Sequence, residues 1–142
     1  MNNSLTEEQV KVLNMSQSVI NEVRKVIIGK DEIIIKVLLS ILAGGHILIE
    51  DIPGVGKTTL AVALSKALSL DYKRLQFTPD VLPTDVTGFT ILNKETHKFE
   101  YKQGAALTNL FLADEINRTS SKTQSALLEV MEEGKVTVDG IT

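Results

Sequence analysis

The chain has 142 residues, enough for one domain with a sizeable core. Fifteen basic residues against eighteen acidic ones leave a net charge of −3, so no overall basic field recruits nucleic acid. With no cysteine, disulfides and thiolate metal sites are excluded.

The first residues, MNNSLTEEQ, are polar and lack the charged start and apolar core of a signal peptide. Ile33 to Ala43 is the most apolar run, but Lys36 and Ser40 interrupt it and it is too short to span a bilayer. A soluble, cytoplasmic protein is expected. Thr6-Glu7-Glu8-Gln9 is a capping-box pattern, with Ser4 and Glu7 as a competing one. The spacing predicts a helix from about Thr6 to Val26, with Val10, Leu13, Ile20 and Val23 near one face. Ile27-Ile28-Gly29 reads from its residues as a helix-to-helix turn with two core side chains. Asp31 is the expected cap of a deeply packed helix from Glu32 to about Ala43, which Gly44-Gly45 ends.

His46–Glu50 reads as a short buried strand, Asp51–Lys57 as a loop, and Thr58 to about Leu70 as an amphipathic helix. A strand, a G-x-G-K-T loop and a helix form the context of a Walker A motif, although Asp51 stands where the full pattern has its first glycine. Gly54 and Gly56 let backbone N–H groups point inward with no side chain blocking a phosphate. The helix N-terminus adds donors and a positive dipole end. Lys57 would reach the terminal phosphates of a nucleotide, and the Thr58 hydroxyl would hold Mg²⁺.

Further along, Tyr72–Phe77 predicts a second strand, and Thr78–Asp85, with two prolines, predicts irregular chain. Thr87–Leu92 and His97–Tyr101 predict a β-hairpin around Asn93-Lys94-Glu95-Thr96. His46 and His97 are lone histidines and read as surface residues. Leu110–Ala113 predicts a third strand running into Asp114-Glu115. A helix from about Lys122 to Glu133 follows, capped by Thr119 or Ser120 and ended by Gly134, with Ala126, Leu127, Val130 and Met131 as its apolar stripe. Lys135–Val138 alternates as a strand, with a hairpin turn at Asp139-Gly140.

Leu-Phe-Leu-Ala-Asp-Glu has the form of a Walker B strand. Successive strand side chains alternate in direction, so Asp114 and Glu115 take different roles unless the chain turns. Asp114 would fix Mg²⁺, and Glu115 would orient and deprotonate the attacking water, a contribution of about 10²–10⁴-fold in rate. Both motifs fall at the carboxyl ends of strands, where open α/β sheets bind ligands. A glutamate beside the metal-binding aspartate favours ATP hydrolysis over phosphoryl transfer to a metabolite.

The combination of Gly44-Gly45-His46, IEDIPGVGKT, Gln76-Phe77-Thr78-Pro79-Asp80 with Leu82-Pro83 and Asp85, Leu-Ala-Asp-Glu-Ile-Asn-Arg, and KTQSALLEVMEE resembles the MoxR group of AAA+ ATPases. The resemblance runs from Val26 to the end, and that group tolerates Asp51 at the first Walker A position. It implies a P-loop NTPase fold: a parallel α/β sheet flanked by helices, with a β-hairpin insert at Thr87–Tyr101. Residues 1–25 would be an N-terminal helix and 26–142 a partial AAA+ core. ATP and Mg²⁺ would be held by Pro53, Gly54, Val55, Gly56, Lys57, Thr58 and Thr59, with Ile27, Ile28 and Gly29 lining the adenine pocket. Metal binding would fall to Thr58 and Asp114, and catalysis to Glu115 and Lys57. Asn117 and Arg118 match the motif after Walker B, where Arg118 would contact a neighbouring subunit, groups that support the site residues, or only solvent. Full-length members form a homo-oligomeric ring, a hexamer, that remodels client proteins. They run to about twice this length, with a sensor strand, an arginine finger and a helical lid, so the chain is expected to be an incomplete core. In the family's strand order the missing strand lies between the Walker A and Walker B strands, which would then pair directly, borrow a strand or leave a gap. An arginine finger is worth about 10³–10⁵ in rate, so a nucleotide-binding or self-associating module with negligible hydrolysis is one alternative. A nucleic-acid motor of related fold is another, disfavoured by the acidic balance.

Overall fold

A computed structural model describes residues 5–50, 54 and 56–138. Ser4, Asp51, Pro53, Val55 and the expected turn at Asp139-Gly140 lie outside the described residues. The chain divides into two compact units, Met1–Leu70 and Asp71–Thr142.

The first unit is helical. Helix α1, Glu7–Arg24, starts at the capping box expected from its sequence: Gln9 N–H donates to Thr6 Oγ1 at 3.2 Å and Thr6 N–H to Gln9 Oε1 at 2.9 Å. Helix α2 spans Asp31–Leu42 and helix α3 Lys57–Ala67. Their core joins Ile20 and Val23 of α1, Ile34, Val37 and Leu38 of α2, and Leu60 and Leu64 of α3, with Ile27 between the first two helices. Val10 and Leu13 share the α1 stripe but are exposed, because only the C-terminal half of that stripe is covered. Asp31 is not the cap of α2. Lys30 takes that position, and Asp31, in the first turn, accepts from Arg24 Nε at 2.9 Å. An acid at this place suits the positive end of the helix dipole as well as a cap would. Gly44 closes α2 at φ +65, with Gly45 N–H donating to Ser40 O and Gly44 N–H to Ile41 O. The deep packing expected of α2 is confined to one face, since Ile33, Ile35, Leu39 and Leu42 are exposed.

The strand expected at His46–Glu50 does not form. Ile49 packs against the helical core while Leu48 is 71% exposed. A strand exists only through its ladder, and the first unit has no strand among its described residues to supply one.

The second unit holds strand β1, Tyr72–Gln76, paired in parallel with strand β4, Leu110–Asp114, so that Gln76 lies opposite Asp114. Between them come the short helix α4, Pro83–Thr87, and the expected hairpin, β2 (Gly88–Asn93) with β3 (Lys98–Gln103). Helix α4 corrects the reading of Thr78–Asp85 as wholly irregular. Pro83 sits at the first helical position, where its missing N–H costs nothing, and Asp85 accepts from Leu82 N–H at 2.8 Å. Helix α5, Ser121–Glu133, is capped by Ser120, whose Oγ accepts from Thr123 N–H, and closed by Gly134 at φ +63. Phe77, Val86 and Leu127 form the buried centre, with Leu75, Phe111, Ala113 and Met131 packed around it. Lys135–Thr137 lie outside any strand and Val138 makes an isolated β-bridge, so the strand expected there is absent among the described residues.

Candidate nucleotide-binding site

Helix α3 begins directly after Gly56, which takes φ +91 as its N-cap and offers no side chain to cap the first turn. Gly54 also has a positive φ, +87, and a Cβ at either glycine would meet nothing within 4 Å among the described residues. The described residues leave the space beside these two glycines open, and a positive φ is a conformation that glycine adopts without strain. Lys57 and Thr58 are the first two residues of α3 and are half-buried; Thr59 is exposed.

An open cleft of about 480 Å³ lies against this turn, lined by Val26, Ile27, Ile28, Lys30, Gly54, Gly56 and Thr59. The structure thus brings together Ile27 and Ile28 with Gly54, Gly56 and Thr59. Ile27 is buried in the helical core, whereas Ile28 is 86% exposed, which no core role explains. Ile27 N–H still bonds to Val23 O at the end of α1, whereas Gly29, φ +74, turns the chain after Ile28. Gly29 does not itself line the cleft. Val26 and Lys30 do, and the sequence reading missed both; their signal was adjacency to Ile27-Ile28.

Asp114 and Glu115 belong to the second unit. Glu115 adopts φ +57, ψ 41, so the chain turns left-handed after the strand and enters a short 3₁₀ turn, Ile116–Arg118. That conformation costs a non-glycine residue about 1–2 kcal/mol. The strand alternation expected to set Asp114 and Glu115 apart therefore ends at Asp114, and Glu115 is oriented by the turn instead. Asp114 is half-buried and Glu115 exposed. Asn117 and Arg118 are both exposed. Gln124 Nε2 of α5 donates to Ile116 O at 3.0 Å and steadies the turn.

The sequence reading also missed the partner of Asp114. Arg74 Nη2 lies 2.6 Å from Asp114 Oδ2, and its Nε donates to the same oxygen at 3.3 Å. Nη2 donates as well to Gln76 Oε1 at 2.7 Å. Arg74 and Gln76 are two apart on β1 and share a face, and the parallel register sets that face beside the end of β4.

No described group of three or more histidines or acidic residues could hold a metal by itself. Mg²⁺ does not depend on such a group, because it keeps several waters and is bound through one or two carboxylates together with substrate phosphates. Thr58, in the first unit, and Asp114, in the second, each offer an oxygen donor of the kind Mg²⁺ takes.

Residues 46–142 match the model of the ATPase family associated with various cellular activities (AAA). The chain is 58% identical over 123 residues to the uncharacterised protein YeaC of Bacillus subtilis, covering 87% of this chain and 38% of that protein. It is 41% identical over 121 residues to Chaperone MoxR1 of Mycobacterium tuberculosis, covering 85% of this chain and 32% of that one. A crystal structure of a candidate ATPase from Cytophaga hutchinsonii superposes with a TM-score of 0.76 at 43% identity, over 96% of this chain and 43% of that one. The chain therefore spans about a third of the length of the curated relatives it matches. Its fold is that of the P-loop ATPases, and it belongs to the ATPase family associated with various cellular activities, where it resembles the MoxR proteins.

Proposed function

We propose that this chain binds ATP with Mg²⁺ and supplies the Walker A and Walker B elements of a MoxR-like ATPase that remodels or matures partner proteins. The observation that carries the reading is the open turn at Gly54 and Gly56, set against the cleft that contains Ile27 and Ile28. The turn and the N-terminus of α3 receive phosphates through backbone N–H groups, and the apolar side chains beside it receive the base. Lys57 binds the terminal phosphates as a point charge, with Pro53, Val55 and Thr59 completing the loop. Mg²⁺, held by Thr58 and Asp114, would offset phosphate charge. Glu115 orients a water for attack and takes its proton. Residues 1–25 serve as a helical extension and 26–142 as the nucleotide-binding part.

Assembly into a homo-oligomeric ring, a protein client and a cytoplasmic location belong to the same proposal. They are supported by the family match and, for location, by the finding that no described helix is long and apolar enough to cross a membrane. The test is thermal stability with and without Mg-ATP. Ligand at about a hundred times its dissociation constant stabilises the folded state by about 2.7 kcal/mol. The shift should vanish in Lys57→Ala and persist in Glu115→Gln. A cooperative melt that ATP leaves unmoved would refute the proposal. Phosphate release, present in the native chain and lost in Glu115→Gln, then separates hydrolysis from binding alone.

A further inference from the structure

Strand β4 has one edge that no other strand among the described residues occupies. On its β1 side, Leu110 N–H donates to Asp71 O at 2.9 Å, and Asp114 O accepts from Phe77 N–H at 2.8 Å. Alternate residues of a parallel ladder face the partner strand, so Leu110, Leu112 and Asp114 turn their backbone groups towards β1. Phe111 and Ala113 turn their N–H and C=O groups to the opposite edge. The strand is apolar from Leu110 to Ala113 and carries none of the lysine, arginine or proline that commonly guards an edge. Strand β1 differs, because Lys73 and Arg74 put positive charge along it.

We propose that β4 pairs antiparallel with β4 of a second copy of this chain, about a twofold axis at Leu112. In that register Phe111 lies opposite the partner's Ala113, and Ala113 opposite the partner's Phe111. Each such pair exchanges both N–H···O bonds, so every outward backbone group of the two strands is satisfied at once. Leu112 meets the partner's Leu112 as a pair without hydrogen bonds, and Asp114 falls opposite the partner's Leu110, so no like charges meet. The other edge pairings lack this fit. Two copies of β1 joined about their centre would set Arg74 against the partner's Arg74. Strand β1 against β4 of another copy would leave a free edge at each end and grow without closing. All the residues of the β4 pairing lie in the second unit, and nucleotide has no part in it. A five-residue strand on each side falls short of a standard interface of about 1,200–2,000 Å², so the dimer is weak, with a dissociation constant of about 1 mM.

The test uses the full 142-residue chain, which has no cysteine, so one introduced thiol reports on one position. Facing Cα atoms in an antiparallel pair without hydrogen bonds are about 4.5 Å apart, within the about 4.4–6.8 Å that a disulfide spans. Leu112→Cys should therefore give a disulfide-linked dimer under mild oxidation at about 1 mM chain. Leu110→Cys, on the same face of the strand, places the two thiols about 14 Å apart and should stay monomeric. In the native chain, amide exchange at Phe111 and Ala113 should slow about twofold from dilute solution to about 1 mM, where half of the chains are paired. The amides of Leu110, Leu112 and Asp114 face β1 and should be protected at every concentration. Failure of Leu112→Cys to cross-link, or equal cross-linking of both variants, overturns the proposal. Slow exchange at Phe111 and Ala113 already in the dilute monomer also overturns it, because the edge is then covered from within the chain. Association that grows past a dimer overturns it in favour of β1 against β4. Should Leu112→Cys fail to fold, exchange in the native chain decides: rates at Phe111 and Ala113 that do not change with concentration refute the pairing.

Discussion

Replacing Thr123 by valine should destabilise the second unit through a single hydroxyl. Thr123 is 0% exposed, and its Oγ1 donates to Val81 O at 2.8 Å. This bond ties the chain before α4 to the first turn of α5. Valine has nearly the same shape but neither donates nor accepts, so the change deletes the buried bond to Val81 O together with the 3.1 Å contact to Ser120 Oγ and leaves no cavity. A net loss of about 1 kcal/mol is expected for the bond, and an unsatisfied buried carbonyl costs about 1–3 kcal/mol. Thr119 Oγ1 also donates to Val81 O, but at 3.4 Å, which compensates weakly. The expected cost is therefore about 1–2 kcal/mol, or about 3–8 °C in melting temperature for a chain of this size. Urea unfolding followed by tyrosine fluorescence is a suitable assay, because Tyr72 and Tyr101, the chain's two tyrosines, both lie in the second unit. The midpoint should fall with the slope unchanged. Thr123→Ser keeps the hydroxyl and loses only a methyl, about 0.8 kcal/mol, so it should be the milder change. A valine variant as stable as the native chain, or more stable than the serine variant, would refute the reasoning. The double variant with Thr119→Val should cost more than the sum of the two, since only then does Val81 O lose both donors.

Gly104→Ala should destabilise the second unit by about 2–3 kcal/mol in the same urea assay. A Cβ there would overlap the backbone of Val86, Thr87 and Gly88 where the hairpin joins the unit, and backbone cannot move aside as a side chain can. A change within about 0.5 kcal/mol would count against this packing, being the ordinary range of a surface substitution. Tyr72→Phe should be neutral or slightly stabilising, because the Tyr72 hydroxyl is buried with no hydrogen-bond partner among the described residues. Burial also pushes the Tyr72 phenol above the ordinary tyrosine range, with Arg74 opposing and Asp114 reinforcing the shift. The folded state then holds its proton more tightly than the unfolded state. The native chain has the full benefit below the ordinary tyrosine range and loses it as pH rises through that range and past the raised folded value. Melting curves taken into alkali should fall more steeply for the native chain than for Tyr72→Phe, and parallel curves would contradict the shift.

Much of the molecule was legible because its signals are local. The Thr6–Gln9 box, the Ser120 cap, the Gly44 and Gly134 stops and the hairpin each depend on residues within a few positions, and each formed where the chain specified it. The candidate site was legible for the same reason. A glycine turn opening onto a helix, and a strand ending in two carboxylates, are short-range patterns whose chemistry follows from residue type.

Tertiary structure decided what depends on partners distant in sequence. His46–Glu50 and Lys135–Val138 have strand-like composition, but a strand needs a neighbour to take up its N–H and C=O groups, and composition cannot say whether one is present. Helix α2 is apolar nearly all round, yet which of its faces is covered depends on where α1 and α3 pack. The contact of Arg74 with Asp114 is the sharpest case. Neither residue's neighbours announce it; only the register of β1 against β4 brings a guanidinium onto the carboxylate that the sequence had assigned to a metal.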